Sequence, residues 1–285
     1  MSGQVLVIGA TGSVGSELVT LLSRMGERVR AATREPGEAR SPHSAVEFVE
    51  FDFERPQTFA AALHGIDRVF LIARPGDDHA DRVALPLIDE MKRRGVRQVV
   101  NLSAMGAESR DDFALRKVER YLEDSGVGFT HLRPNFFMQI FSTPPLLLGI
   151  RSTGEIKIPA ADATLSYIDV RDIAAVAAAT LTERGHTGKA YTLTGGQALD
   201  HQEIARTISG ASGRMVRYVA ISEEAARRAL EAAGLSPDRT ERLLGFYRLV
   251  REGFCSPVSS DAQMVLGRAT ISFGQFASDN ASCWR

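Results

Sequence analysis

Apolar positions in the first half of the chain alternate between two rhythms. Short β-branched runs at Gln4–Ile8, Arg28–Ala32, Glu47–Phe51, Arg68–Ile72, Gln98–Leu102 and Thr130–Arg133 predict strands. Between the first two, Val14, Leu18, Leu21, Leu22 and Met25 recur at the spacing of one helix face, which predicts a helix ending near Gly26. Similar patterns predict helices at about Gln57–Leu63, Asp78–Arg94 and Ala114–Asp124, the last two closing at Gly95 and Gly126. Strand and helix in alternation make βαβ units, and right-handed crossovers wind them into a parallel sheet with helices on both faces.

After Pro134 the rhythm breaks into aromatic and proline-rich sequence, through Phe136-Phe-Met138 and Pro144-Pro-Leu-Leu-Leu148. Regular patterns resume with a helix from about Val170 to Thr182 and a strand at Ala190–Leu193. Helices near His201–Ser209 and Glu223–Ala233 then flank a strand at Val216–Ala220. Asp169 with Asp172, and Asp200 with Glu203, have capping-box spacing, while Ser236-Pro237 suits an N-cap followed by proline in the first turn. The Pro-, Gly- and charge-rich stretch 34–44 reads as a surface loop.

Composition narrows the function classes. A 285-residue chain with formal net charge −1 and 44% hydrophobic residues fits an ordinary globular protein rather than a basic nucleic-acid binder. Cys255 and Cys283 are the only cysteines, too few for a disulfide framework, and no run is long and apolar enough for a signal or membrane segment. The expectation is therefore a cytoplasmic protein without nucleic-acid or membrane partners. Its six histidines show no metal-ligand spacing, so no metal is expected, and there is no nucleophile elbow or Walker lysine.

Immediately after the first predicted strand stands Gly9-Ala-Thr-Gly12-Ser-Val-Gly15, opening an amphipathic helix. The charge of a pyrophosphate must be met without bulky side chains. Glycines let the chain turn tightly and aim free backbone N–H groups, aided by the helix dipole, at phosphate oxygens. Gly9 reads as the turn, Gly12 as the close backbone approach and Gly15 as the packing of helix on strand; Thr11, Ser13 and Val14 complete the candidate loop. The same residues, without a ligand, would make only a tight turn.

The tip of the second strand should reach the adenosine ribose of such a dinucleotide. Ala31-Ala-Thr33-Arg34 carries no acid for a 2′-hydroxyl but offers a guanidinium for a 2′-phosphate, so NADP(H) is the expected cofactor. Arg34 reads otherwise as a solvated loop arginine. Asp52-Phe53, after the third strand, reads either as an adenine contact or as a strand-ending aspartate beside a core phenylalanine.

Together with Val69-Phe-Leu-Ile-Ala-Arg-Pro75, Leu102-Ser-Ala104, Leu132-Arg-Pro-Asn-Phe-Phe-Met138, Tyr167-Ile-Asp-Val-Arg-Asp-Ile-Ala174, Ala190-Tyr-Thr-Leu-Thr-Gly195 and Phe273-Gly-Gln-Phe276, these residues resemble the NmrA-like atypical short-chain dehydrogenase/reductases. That group includes bacterial quinone and triphenylmethane-dye reductases. The resemblance implies a Rossmann-type doubly wound parallel sheet over 1–135, with a returning segment at about 166–195. It implies a smaller mixed substrate lobe from 136–165 and 196–285. Candidate cofactor contacts then extend to Ala73, Arg74, Ser103, Lys117 and Pro134.

Most short-chain reductases place a tyrosine and a lysine one helical turn apart, the lysine lowering the phenol pKa and binding the nicotinamide ribose. Here the corresponding stretch is Phe113-Ala-Leu-Arg-Lys117, which keeps the lysine and lacks the acid. Lys117 therefore reads either as a ribose-binding catalytic residue or as an exposed helical lysine. Tyr167 is the one tyrosine nominated as a substitute proton donor. A quinone needs little acid catalysis, because hydride addition yields a stabilised anion that water can protonate, and positioning then dominates. Met105, Phe113, Phe136, Phe137, Met138 and Tyr167 are the candidate lining for a flat aromatic substrate, or else hydrophobic core. The expected activity is NADPH-dependent reduction of a quinone-like or other conjugated aromatic small molecule by a monomer or homodimer. The alternative is a non-catalytic dinucleotide sensor, which Phe113 favours; sugar-nucleotide epimerisation would need the missing tyrosine.

Overall fold

The protein is described by a computed structural model, which describes residues 3–37, 46–73 and 79–285. Its elements begin with β1 (Gln4–Val7), α1 (Ser13–Arg24), β2 (Val29–Thr33), β3 (Val46–Glu50), α2 (Phe59–Ala62), β4 (Ile66–Ile72) and α3 (Ala80–Arg93). There follow β5 (Gln98–Leu102), α4 (Ala114–Ser125), β6 (Gly128–Pro134), α5 (Leu146–Thr153), β7 (Glu155–Ile158), α6 (Val170–Thr182) and β8 (Lys189–Leu193). The chain ends with α7 (His201–Ser212), β9 (Arg217–Ala220), α8 (Glu223–Ala232), α9 (Pro237–Arg251), α10 (Asp261–Leu266) and α11 (Phe273–Asp279).

The chain divides into two compact units. The first comprises Met1–Pro134, Val170–Leu193 and Asp261–Gly267; the second comprises Asn135–Asp169, Thr194–Ser260 and Arg268–Arg285. The first unit is a seven-stranded sheet in the order β3-β2-β1-β4-β5-β6-β8, with every pairing parallel. This is the doubly wound Rossmann-type sheet. All four residues of β1 are buried, which explains its unbroken apolar run: a central parallel strand has helices over both faces. Helices α3 and α4 pack together, as do α1 and α6. Leu6, Ile8, Val69, Leu71 and Val99 meet Leu87, Ile88, Val118 and Leu122 in one core.

The second unit is built around a two-stranded parallel sheet, β7 beside β9, with Ile156 opposite Tyr218. Its core gathers Phe141, Tyr167, Ile204, Ile208, Tyr247, Phe273, Phe276 and Trp284. Trp284 is fully buried, and its indole N–H donates to the Phe141 carbonyl at 2.7 Å. Asp200 and Glu203 form a reciprocal capping box at the start of α7. Pro237 opens α9 after Ser236, whose side chain makes no capping bond.

The structure departs from the sequence reading in three places. The stretch expected as one helix at 57–63 is a 3-10 turn, Pro56–Thr58, followed by the single turn of α2. Segment 136–165, read without regular elements, contains α5 and β7; β7 finds its partner in β9, and a two-stranded pairing across that sequence distance leaves no local pattern. Finally, 261–267 lies in the first unit although 196–285 was read as belonging to the second. The Asp261 carboxylate accepts the Thr192 N–H at 2.8 Å and so ties α10 to the edge strand β8.

Candidate active site

In the first unit the candidate cofactor residues line up along one edge of the sheet. Gly9 follows β1, Arg34 follows β2, Asp52 follows β3, Ala73 follows β4, Ser103 follows β5, and Pro134 ends β6. In open α/β sheets the carboxyl ends of the strands are where ligands bind. Arg74 falls outside the described residues, as does 38–44 of the expected loop.

At the head of this edge the chain turns from β1 into α1. Gly9 has φ +72°, a conformation that favours glycine. A β-carbon on Gly15 would stand 2.1 Å from the Gly9 carbonyl oxygen, so only glycine lets α1 approach the strand this closely. Gly12 is the N-cap of α1, and its N–H donates to the Gly9 carbonyl at 2.9 Å. A β-carbon on Gly12 would stand 3.3 Å from that same carbonyl oxygen, a tighter contact than side chains usually make. No side chain caps α1 and its first turn holds no acid, leaving the leading N–H groups and the positive end of the helix dipole to an anion. Val14 and Gly15 are buried, whereas Thr11, Gly12 and Ser13 are exposed. This cradle fits a diphosphate.

Arg34 is exposed beyond β2 and forms no ion pair with another described residue. Asp52 accepts the Glu54 N–H at 3.0 Å and lies 3.3 Å from the Arg55 guanidinium. Phe53 stands edge-on to Phe51 with ring centroids 5.0 Å apart. Ala73 is 2% exposed.

Around β5 and β6 the backbone is tightly held. The Ser103 N–H donates to the Leu132 carbonyl at 2.8 Å, and the Met105 N–H to the Pro134 carbonyl at 3.0 Å. Phe113 is the N-cap of α4, with the Arg110 guanidinium over its ring at 5.9 Å. The Lys117 N–H donates to the Phe113 carbonyl, so the two share a helix face, and the Lys117 ammonium lies 3.8 Å from an Asp81 carboxylate oxygen. The lysine side chain keeps 49% of its surface exposed. Asp81 as its neighbour was not legible in the sequence.

Sequence reading also assigned no role to Arg133 and Glu119. Glu119 is 0% exposed, and Arg133 holds both its oxygens at 2.9 Å. Burial pushes the Glu119 carboxyl up, but hydrogen bonding led by Arg133 outweighs it and keeps the group below the usual carboxylate range. The available signal was an arginine in a buried strand and a glutamate on the inner face of α4.

The remaining substrate candidates belong to the second unit. Phe136 and Phe137 are half-buried, while Met138 and Tyr167 are each 2% exposed in its core. Tyr167, the nominated proton donor, lies sealed in this core. Its hydroxyl is hydrogen-bonded to His201 Nε2 at 2.8 Å, its ring is 5.2 Å from that of Phe141, and burial pushes its pKa well above that of an ordinary phenol. Burial also lowers His201 to about 4, so the imidazole that pairs with the Tyr167 hydroxyl is neutral at pH 7. Among the described residues no group of His, Cys, Asp or Glu could hold a metal ion, and no helix is long and apolar enough to cross a membrane.

Comparison with known proteins places this geometry in a family. The NmrA-like family model matches residues 1–252. The NAD(P)H azoreductase of Xenophilus azovorans is 34% identical over 288 residues, covering 98% of this chain and 99% of that protein. The (4-alkanoyl-5-oxo-2,5-dihydrofuran-3-yl)methyl phosphate reductase of Streptomyces griseus is also 34% identical, over 286 residues, with the same coverage. In fold, the chain resembles the NADPH complex of the Escherichia coli quinone oxidoreductase QOR2, with TM-score 0.86 and 23% identity over 96% of this chain and 99% of that one. A strand-to-helix turn built on Gly9, Gly12 and Gly15, a family match over most of the length and reductases aligned from end to end lead to one conclusion: the chain is an oxidoreductase belonging to the NmrA-like family.

Proposed function

We propose that this oxidoreductase uses NADPH to reduce quinone-like or other conjugated aromatic small molecules. The observation that carries the reading is the open, uncapped N-terminus of α1, where the Gly9–Gly15 approach leaves main-chain amides for a diphosphate. Arg34, exposed beyond β2, would hold the 2′-phosphate, and Lys117 the nicotinamide ribose. When bound, NADPH supplies the hydride. Phe113 offers no proton where short-chain reductases keep a phenol, and the buried Tyr167 hydroxyl is engaged by His201. An acceptor whose reduced form is a stabilised anion suits such a chain, because positioning then outweighs acid catalysis and water completes the protonation. The azo, unsaturated furanone and quinone acceptors named for its relatives and structural neighbour are all conjugated and electron-poor.

The test is the loss of NADPH absorbance with purified protein across a panel of benzoquinones, naphthoquinones and azo dyes. Turnover with NADPH preferred over NADH is the expected result. Nucleotide binding by calorimetry without oxidation by any acceptor overturns the proposed substrate class, and absence of nucleotide binding overturns the reading as a whole.

A further inference from the structure

We propose that Arg133, with Glu119 as its buried counter-charge, is the positioning residue for the stretch 103–117, an inference that rests on the reductase reading above. This stretch carries Ser103, Met105, Phe113 and Lys117, and Arg133 grips it from several sides. Its Nε and Nη2 hold the two Glu119 oxygens at 2.9 Å each, which fixes α4 two residues beyond Lys117. Its Nη1 lies 3.4 Å from a Glu108 oxygen, in the 3-10 turn Ala107–Ser109 that precedes Phe113. The carbonyls of its two chain neighbours, Leu132 and Pro134, accept the Ser103 and Met105 N–H groups. The Arg133 side chain thus holds the middle of the segment and the helix at its end, while the backbone on either side of Arg133 pairs with the beginning.

Stability alone does not call for this arrangement. The Arg133 side chain is 12% exposed and Glu119 is 0% exposed, and a second arginine, Arg116, also reaches Glu119 at 2.9 Å and Glu123 at 2.8 Å. Buried ion pairs of this kind often stabilise a fold no more than apolar side chains of equal volume. A guanidinium fork on a carboxylate adds direction, because two parallel bonds set an angle as well as a distance. In a site that works by positioning, displacements of about 1 Å slow turnover strongly.

The same unit contains its own control. Arg68 pairs with Glu27 at 2.7 Å, with side chains 12% and 17% exposed, and donates to the carbonyls of Leu181 and Gly3. This pair lies at the amino ends of the strands, beside Gly3 before β1 and Glu27 before β2, away from every candidate residue. It is a largely buried arginine–glutamate pair, held through one carboxylate oxygen, without a site to position.

The experiment compares Arg133→Lys, Glu119→Gln and Glu27→Gln in the full chain. Three quantities are read: turnover of folded protein at saturating NADPH against NADPH affinity, melting temperature, and hydrogen exchange at the Ser103 and Met105 amides without nucleotide. Arg133→Lys and Glu119→Gln are expected to lower kcat about tenfold or more while NADPH affinity changes by less than about threefold, and to speed exchange at both amides about tenfold. Glu27→Gln should lower the melting temperature and leave kcat and those two amides unchanged. Unchanged kcat and amide exchange in Glu119→Gln overturn the proposal, whether or not Arg133→Lys folds, and so does a kcat loss in Glu27→Gln equal to that in Glu119→Gln. A wild-type protein that oxidises no NADPH overturns the reading on which the proposal rests, and the amide exchange still decides whether Arg133 holds the segment.

Discussion

Gly15 lies so close to Gly9 that a β-carbon on the one would stand 2.1 Å from the carbonyl oxygen of the other. The first turn of α1 and the end of β1 are therefore a single rigid corner, and whatever binds the exposed amides meets a surface already in place. Gly15→Ala cannot be accommodated by a side-chain movement, since the obstructing atom is backbone. It should cost about 1–3 kcal/mol of stability and weaken NADPH binding by at least about tenfold. Thermal melting and calorimetry on the same preparation check both figures.

On the proposed reading, Arg34 would set the choice between the two nicotinamide dinucleotides. Charge-assisted bonds to a 2′-phosphate are worth about 1.5–3 kcal/mol, so Arg34→Ala should reduce the NADPH over NADH preference in kcat/KM by about tenfold or more. The loss should appear in KM rather than kcat. Equal use of both cofactors by the wild type would remove the role assigned to this arginine.

Tyr167→Phe separates a core hydroxyl from a proton donor. The substitution leaves His201 Nε2 without its partner in a site that is 1% exposed, so it should destabilise the protein by about 1–3 kcal/mol. Turnover per folded molecule should not change. A drop of about a hundredfold at unchanged NADPH affinity would make Tyr167 the donor.

His201 makes the fold acid-sensitive. Burial lowers its pKa from 6.5 to about 4, so between those values the unfolded chain binds the proton and the folded one does not. The resulting stability is fully present above about pH 6.5 and is lost as the pH falls toward 4, a contribution on the order of 3 kcal/mol. Urea unfolding followed over this range should show the decline, and His201→Gln should flatten it. A wild-type profile no steeper than that of His201→Gln would place the acid-sensitive group elsewhere.

How much of this was legible in the chain depended on how far apart the interacting residues lie. The helix Val170–Thr182 and the strand Gln98–Leu102 have the boundaries their apolar patterns predict, because each pattern is local and dense. The capping box of Asp200 and Glu203 was legible for the same reason. Strand β7 was not, since Glu155–Ile158 becomes a strand only through Arg217–Ala220. The segment 57–63 reads as one helix in its apolar pattern, but the fold breaks it into the 3-10 turn Pro56–Thr58 and the four-residue α2.

At the candidate site the division is the same. The glycine corner and the missing phenol at Phe113 are properties of adjacent residues, and the sequence by itself determined them, together with the order of strands and helices that makes a Rossmann-type sheet. Only the tertiary structure decided that Tyr167 is sealed against His201, that Asp81 stands beside Lys117, and that Arg133 clasps Glu119 from another element. The physical reason is that backbone conformation follows from neighbours along the chain, whereas exclusion from water and the pairing of charges follow from what the rest of the fold brings near.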